Sequence, residues 1–486
     1  MMDLPAPDVE RQSAQDAPQR DAEPSRAGAE SSPGGTSWVR RFAVELREQY
    51  HPRSALHAIV SVPAFHEPVI DGVRAIAIVW VLSVHLVLYH VAFFPQTSLA
   101  IFNLPGLHVV ARGDLGVDLF FVISGYLIGT ILFREAAKTG SLRLRRFYLR
   151  RFLRLIPVYT AAMILALWFL HGYHASKIWA NLLYVNNFLP IDRQFMPWCW
   201  SLAIEEQFYL LLPAFVLFLM TLKRGRWLWM LALFVLAGLI RWSIIRSHGI
   251  LPPFTDMPGM PSYDHRLTVI YQNLYTRYGA LLVGVMTSYA LLFHRAAVEK
   301  FFSRRLAVNV IGVACLLTMT AIAFTSFGYP AATPSTVPAH FFDGIFNRFS
   351  PPWRQLWYTE HRDVFALCTA FLIVAALVSP AWIGVGVRRM LSWRVFRPVA
   401  QLSYSLYLTH ELVLVWLFPR SAWHLWNHFG VGAAMALDSL IALCIMFALA
   451  AALFVLIEKP SMDARTMPSI RALIEPQIPT AAPQRS

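Results

Sequence analysis

The sequence predicts an all-α fold: a polytopic bundle of about ten membrane-spanning helices with both termini on the cytoplasmic side. Three observations carry this expectation. Of the 486 residues, 57% are hydrophobic and only 14% are charged, which is too apolar for a soluble protein of several domains. The apolar residues are gathered into runs close to the roughly 20 residues that one helix needs to cross a bilayer. The formal net charge is +14, yet Lys and Arg cluster at the ends of the apolar runs. This is the positive-inside distribution, and it argues against nucleic acid as a partner.

Taken in order, residues 1–40 are rich in Ala, Pro, Ser, Asp, Glu, Gln and Arg and read as a disordered tail, because so few large apolar side chains cannot offset the entropy of ordering. Residues 41–69 form a cytoplasmic or interfacial segment ahead of the first span. No signal peptide opens the chain, so the apolar run beginning near Ile70 is expected to act as the insertion signal. The spanning domain occupies residues 70–460, with spans expected at 72–94, 114–133, 155–172, 201–221, 227–247, 270–293, 306–326, 363–384, 399–419 and 432–457. Residues 461–486 form a second cytoplasmic tail.

The loop after the second span holds Arg134, Lys138, Arg143, Arg145, Arg146, Arg150, Arg151 and Arg154 against one acid, Glu135, which places it in the cytoplasm. Every second loop after it is also basic. The intervening loops, 95–113, 173–200, 248–269, 327–362 and 420–431, are sparser in Lys and Arg for their length. They are richer in Pro, Trp, Tyr and Asn. Within 143–156 one stripe of Arg143, Arg146, Arg150 and Arg154 lies opposite Leu144, Tyr148, Phe152 and Leu155, the pattern of an amphipathic helix lying along the inner leaflet. It anchors the bundle to anionic lipid or attracts an anionic ligand. Cys199, Cys315, Cys368 and Cys444 are scattered, so no disulfide framework or metal motif can be read and the redox compartment stays open.

Ionisable residues inside the hydrocarbon layer cost about 3 kcal/mol each even on lenient scales, so each is a candidate functional group. His85, Asp118, Glu205, Glu206, Arg241, Arg277 and His410 fall inside the expected spans, most of them in the outer half. They suggest a polar cavity facing away from the cytoplasm. Arg74 stands apart at the inner mouth of the first span. Eleven residues separate it from His85, almost three helical turns, which puts both on one face roughly 16 Å apart. A cation at the inner end suits phosphates, and an imidazole deeper in suits proton transfer. Taken alone, Arg74 reads more readily as a snorkelling end-of-helix cation, and His85 equally well as a hydrogen-bonded packing residue.

The segments DGVRAIAIVWVLSVHL (71–86), GVDLFFVISGYLI (116–128), RFYLRRFLRLIPVY (146–159), WSLAIEEQFYLLLP (200–213), TRYGALLVG (276–284) and LSYSLYLTHE (402–411) together resemble the successive signatures of the acyltransferase type 3 family of membrane acyltransferases. The resemblance covers residues 70 to about 460. It implies transfer of an acyl group, commonly from acetyl-CoA on the cytoplasmic side, to a hydroxyl of an extracytoplasmic glycan or lipid-linked acceptor. The expected location is the bacterial cytoplasmic membrane, in contact with its lipids.

By this resemblance His85 is the general base, and Asp71 and Arg74 lie near the donor phosphates. One of Glu205 and Glu206 orients His85, while Arg277 stabilises negative charge developing on the acyl oxygen. Asp118, Tyr209, Arg241, Tyr404, Tyr407 and His410 are expected to line the cavity. No resident cofactor and no metal are expected. Gly125 and Gly129 read as a small-xxx-small packing pair, Ser124 as packing, and Trp198 and Trp200 as interfacial aromatics.

Many similar proteins carry an extracytoplasmic hydrolase-like domain after an additional helix, and none is expected here. A separate extracytoplasmic transferase partner would supply that module if the acceptor requires one. The loop 327–362, with Pro330, Pro334, Pro338, Trp353 and Trp357, is the expected acceptor contact. A transporter or flippase would use the same buried charges, but the halves show no repeat and no paired broken helices.

Overall fold

The computed structural model describes residues 38–62, 67–94, 109–250, 261–325, 348 and 350–474, and every regular element among them is helical. The expected tail 1–40 lies almost wholly outside the described residues, as do Pro330, Pro334 and Pro338. Two short helices, α1 (Trp38–Gln49) and α2 (Pro52–Val60), precede α3 (Pro68–Phe93). Then follow α4 (Asp114–Thr139), α5 (Leu144–Phe169), α6 (Trp200–Thr221), α7 (Arg226–Ser247), α8 (Leu274–Phe293), α9 (Arg305–Phe324) and α10 (Pro351–Val378). The chain continues through α11 (Trp382–Leu391), α12 (Phe396–Phe429), α13 (Val431–Leu453), α14 (Lys459–Ala464) and α15 (Pro468–Ile474).

Among the described residues, nine helices are long and apolar enough to cross a membrane. They match nine of the ten expected spans. The remaining one, 399–419, lies within α12, a 34-residue helix whose length exceeds what a bilayer requires. Its polar content has a structural cause. Ser403, Ser405, Thr409 and His410 are all buried against neighbouring helices, and α12 packs along both α3 and α13. A helix enclosed by protein on most sides need not be apolar, because its polar groups find partners other than lipid.

The inner layer is α3, α4, α8, α10 and α12, and the tightest contact within it is between α4 and α8. Glycine makes that contact possible. A Cβ on Gly125 would lie 1.9 Å from the carbonyl oxygen of Leu281, and one on Gly284 would lie 2.1 Å from that of Val122. The two backbones therefore touch directly, as small-residue interfaces allow. The packing role expected for Gly125 is met, and its counterpart is Gly284.

Three boundaries differ from expectation. The amphipathic stretch 143–156 is the beginning of α5 itself, a continuous helix from Leu144 to Phe169, and not a separate helix lying along the leaflet. Of the polar stripe, Arg143, Arg150 and Arg154 are exposed; the contacts to α6 come from beside it, with Arg151 Nη2 donating to Glu206 Oε1 at 2.9 Å and the Tyr148 hydroxyl to the Leu210 carbonyl at 3.1 Å. The span expected at 363–384 begins at Pro351 and ends at Val378, so Trp353 and Trp357 sit on a helix and not in a loop. The span expected from residue 270 is preceded by a π-helical segment, Leu267–Tyr271, and begins as α8 at Leu274.

The segments flanking the bundle pack together. Ser469 donates to the Glu45 carboxylate through both its backbone N–H (3.3 Å) and its hydroxyl (2.6 Å). The chain before α3 and the chain after α13 thus lie at one end of the bundle. Part of the expected tail 461–486 is helical, as α14 and α15.

Candidate active site

A cavity of about 700 Å³ opens among α3, α4, α6, α8, α10 and α12, at the end of the bundle that carries the connections 173–200 and 248–269. Its wall includes His85, Tyr89, Arg112, Asp114, Trp198, Trp200, Arg241, Tyr271, Arg277, Arg362, Tyr407 and Glu411. The connection after α5 forms one side. There His171 (φ 49°), a wall residue, as well as His174 (φ 50°) and Tyr184 (φ 54°), adopt the left-handed region, which costs about 1 kcal/mol or more for each such residue. Buried amides hold this connection: Gln194 Nε2 donates to the Leu189 carbonyl at 2.8 Å and to Gln272 Oε1 at 3.0 Å. Gln207 Nε2 donates to the Tyr184 carbonyl (2.7 Å) and to Asn187 Oδ1 (2.8 Å).

His85 stands on α3 with its ring facing the cavity. Its Nδ1 lies 2.8 Å from the Val81 carbonyl, which can only accept, so Nδ1 carries a proton and Nε2 is the reactive nitrogen. Nε2 lies 3.3 Å from Glu411 Oε1, and Glu411 Oε2 accepts from the Tyr89 hydroxyl at 2.9 Å. His410 repeats the arrangement on α12. Its Nδ1 is 2.8 Å from the Tyr407 carbonyl, its ring meets that of His85 edge-on at 4.6 Å, and its Nε2 is 4.0 Å from Glu411 Oε1. His85 Nε2 thus faces a carboxylate at the wall of the cavity, the placement a general base requires.

The second group of charges is an alternating row. Arg112 Nε donates to Asp114 Oδ1 at 3.0 Å, Arg362 donates to both Asp114 and Asp118 (2.6 Å to Asp118 Oδ2), and Arg277 Nη2 lies 3.0 Å from Asp118 Oδ1. Three arginines face two aspartates. Arg277 is 4% exposed; its guanidinium lies 4.9 Å from the Tyr271 ring and 5.4 Å from that of Trp200. Its Nε and Nη1 are buried and have no acceptor among the described residues. Tyr271 lies just outside the span, and burial raises its phenol well above the ordinary value, so it stays protonated.

Arg241 also lines the cavity but is fully engaged. It donates to the carbonyls of Thr359 and Thr276, each at 2.9 Å, to Glu360 Oε2 at 3.2 Å and to Asp363. It clamps α7 to α8 and α10.

Of the residues singled out from sequence, His85, Arg241, Arg277 and Tyr407 line the cavity. Asp118 lies beneath its wall, 1% exposed, as the partner of Arg277 and Arg362. His410 does not line the cavity; it is wholly buried behind His85. Tyr404 does not line it either, and its hydroxyl donates to the Leu155 carbonyl at 3.2 Å.

Glu205, Glu206 and Tyr209, the last expected to line the cavity, lie off it as well. Glu205 accepts from the Ser124 hydroxyl (3.0 Å) and the Tyr209 hydroxyl (3.2 Å), and Glu206 pairs with Arg151, whose guanidinium lies 3.6 Å from the Tyr209 ring centroid. The expectation that one of them orients His85 is thus corrected: the carboxylate at the imidazole is Glu411. Ser124, expected only to pack, is a hydrogen-bond donor.

At the opposite end of α3, Arg74 lies 3.7 Å from Asp71, and Asp71 accepts from Arg397 Nη1 at 2.7 Å. Asp71 is therefore a counter-ion to two arginines. Arg74 is also repelled by Arg154 and attracted by Glu205. Arg74 and His85 are both partly buried, with side chains 20% and 23% exposed.

Sequence reasoning missed Glu411, Tyr89, Arg112, Asp114 and Arg362. The signal for Glu411 was available, since it is the acid inside the expected span 399–419. Arg362 was hidden by its assignment to a loop, and Asp114 by its place at a span boundary.

The fold and the site together define a polytopic membrane protein with ionisable side chains built into its interior. The chain belongs to the acyltransferase-domain family, which matches residues 67–459. It is similar to the peptidoglycan O-acetyltransferase OatA of Listeria monocytogenes, with 28% identity over 374 residues, 72% of this chain and 50% of the relative. It is also similar to nose resistant to fluoxetine protein 6 of Caenorhabditis elegans (25% over 394 residues; 71% and 44%). A putative O-acetyltransferase of Staphylococcus aureus is 32% identical over 241 residues, 46% of this chain and 34% of the relative. The chain thus spans half or less of the length of these relatives. No solved structure matches.

Proposed function

We propose that the protein is an O-acyltransferase that moves an acyl group, acetyl in the first instance, from cytoplasmic acyl-CoA to a hydroxyl of an extracytoplasmic glycan or glycolipid, within the bacterial cytoplasmic membrane. The observation that carries this reading is the His85–Glu411 pair at the wall of the 700 Å³ cavity. The relatives named O-acetyltransferases supply the acyl group and, for one of them, the glycan.

In this reading the cavity receives the acceptor from outside, and the inner end, with Arg74, receives the nucleotide phosphates of the donor. The pantetheine arm of the donor runs between them along α3. The acceptor hydroxyl attacks the thioester carbonyl and forms the new C–O bond. Its proton passes to His85 Nε2, and Glu411 offsets the imidazolium charge. The free N–H groups of Arg277 stabilise the tetrahedral oxyanion. Collapse breaks the C–S bond, and the departing CoA thiolate takes the proton back from His85. No covalent acyl-enzyme is required.

The test is thioester consumption by the purified protein. With acetyl-CoA and a glycan acceptor, the wild type releases free CoA in step with acceptor acetylation, and His85→Ala does not. A transporter would leave the thioester intact, and near-normal turnover by His85→Ala would reject the assigned base.

A further inference from the structure

Three groups able to ligate a cation converge at the wall of the cavity from two helices, α3 and α12. His85 and His410 each turn Nδ1 to a backbone carbonyl of their own helix, those of Val81 and Tyr407, at 2.8 Å. Each ring is thereby held with Nε2 as its free nitrogen, the arrangement in which imidazoles bind metal ions. Glu411 places Oε1 3.3 Å from Nε2 of His85 and 4.0 Å from that of His410. Its Oε2 accepts from the Tyr89 hydroxyl at 2.9 Å, as a carboxylate ligand is held from behind. The three ligand atoms all lie within 4.8 Å of one another. No spacing motif marks the set, because its members come from helices far apart in the chain.

His410 is the member that proton transfer does not use. It is 0% exposed, and its Nε2 is buried without a hydrogen-bond partner among the described residues. A buried polar nitrogen left unpaired is costly, and protein interiors keep few of them. Metal–ligand bonds of about 2.0–2.2 Å put neighbouring ligand atoms roughly 3.3 Å apart in a tetrahedral shell, and His85 and Glu411 already stand at that separation. A movement of about 1 Å brings His410 Nε2 into the same shell. His85 and Glu411 line the cavity, so an ion enters from there and water completes its coordination. Two imidazoles and one carboxylate favour a borderline ion such as Zn²⁺ over Mg²⁺ or Ca²⁺, which take oxygen ligands.

We propose that His85, His410 and Glu411 bind one divalent transition-metal ion of the Zn²⁺ class, and that the ion switches the site off. Bound, it occupies the Nε2 lone pair of His85 that otherwise takes the acceptor's proton, and its removal restores the base. The binding half stands on the geometry alone, whereas the inhibitory half rests on the acyltransferase reading given above.

The experiment titrates the purified, chelator-treated full chain with Co²⁺, whose visible absorption reports its ligands, and then measures acetyl-CoA turnover against Zn²⁺. One Co²⁺ per chain is expected, with the absorption of a four- or five-coordinate ion. His410→Phe keeps a ring against His85 but removes a ligand, and should weaken binding by more than about tenfold. Tyr89→Phe releases the back of the carboxylate and should weaken it about tenfold, the scale of an outer partner. If His410→Phe does not fold, His410→Gln serves in its place. Zn²⁺ should inhibit the wild type reversibly, a chelator restoring the rate, and inhibition of the His410 variant, relative to its own uninhibited rate, should need more than about ten times as much Zn²⁺. No Co²⁺ spectrum, or one unchanged by the His410 substitution, overturns the site. Turnover undiminished when the site is filled overturns the switch. Absence of turnover by the metal-free wild type overturns the acyltransferase reading itself and leaves the Co²⁺ titration as the test of the site.

Discussion

His85 Nε2 and Glu411 Oε1 lie 3.3 Å apart on two helices, α3 and α12, while the other nitrogen of His85 is committed to the Val81 carbonyl. The orienting contact and the reactive contact of the imidazole are therefore separate. A backbone carbonyl fixes the ring, and a carboxylate sits at the nitrogen that takes the proton.

Glu411→Gln should lower kcat by about 10²- to 10⁴-fold, the range typical of general-base catalysis. The amide N–H would donate to His85 Nε2 and occupy the lone pair the reaction needs. Steady-state kinetics checks this, and a change below about threefold would remove Glu411 from the mechanism.

Arg277→Ala should lower kcat by about 10²- to 10³-fold, as expected for a donor to an oxyanion, while acceptor binding weakens much less. Arg277→Lys keeps the charge but loses the fork of N–H groups, so it should recover only part of the rate. Full recovery by lysine would indicate that charge alone matters at this position.

Arg362 bridges Asp114 and Asp118. Arg362→Ala leaves two aspartates facing less positive charge, and removing one partner of a buried ion pair costs about 3–5 kcal/mol. A clear fall in melting temperature in detergent is expected. Adding Asp114→Asn should restore part of it, because the two sites are in contact and their effects are not additive.

Gly284→Val should destabilise the α4–α8 contact by about 1–3 kcal/mol or more, since even a Cβ would lie 2.1 Å from the Val122 carbonyl oxygen. Gly140→Ala is the control. Nothing lies within 4 Å of the added carbon there, and the cost is only that of a left-handed φ of 67°. Thermal unfolding of both variants should rank Gly284→Val well below Gly140→Ala.

The helical bundle was legible because length and apolarity alone identify a spanning helix, and nine such helices are present among the described residues. The exception, α12, shows what composition cannot report: whether a polar side chain faces lipid or another helix. Within the site, His85 and Arg277 were legible as ionisable groups that hydrocarbon would not tolerate without a partner.

The partners were less legible, because helical periodicity gives the face of one helix and not the neighbour it meets. One of Glu205 and Glu206 was expected at His85 from the family resemblance, yet their face of α6 meets Ser124 of α4 and Arg151 of α5. The amphipathic start of α5 failed for a related reason. A stripe of arginines looks the same on a separate helix along the leaflet and on the first turns of a spanning helix such as α5.

The most direct test of vectorial transfer is a sided assay in proteoliposomes, with labelled acetyl-CoA sealed on the side of Arg74 and glycan acceptor supplied on the side of the cavity. The account predicts that labelled acetyl groups appear on the external acceptor with wild-type protein and not with His85→Ala. Label on the acceptor only when donor and acceptor share one side, or equal labelling with His85→Ala, would contradict it.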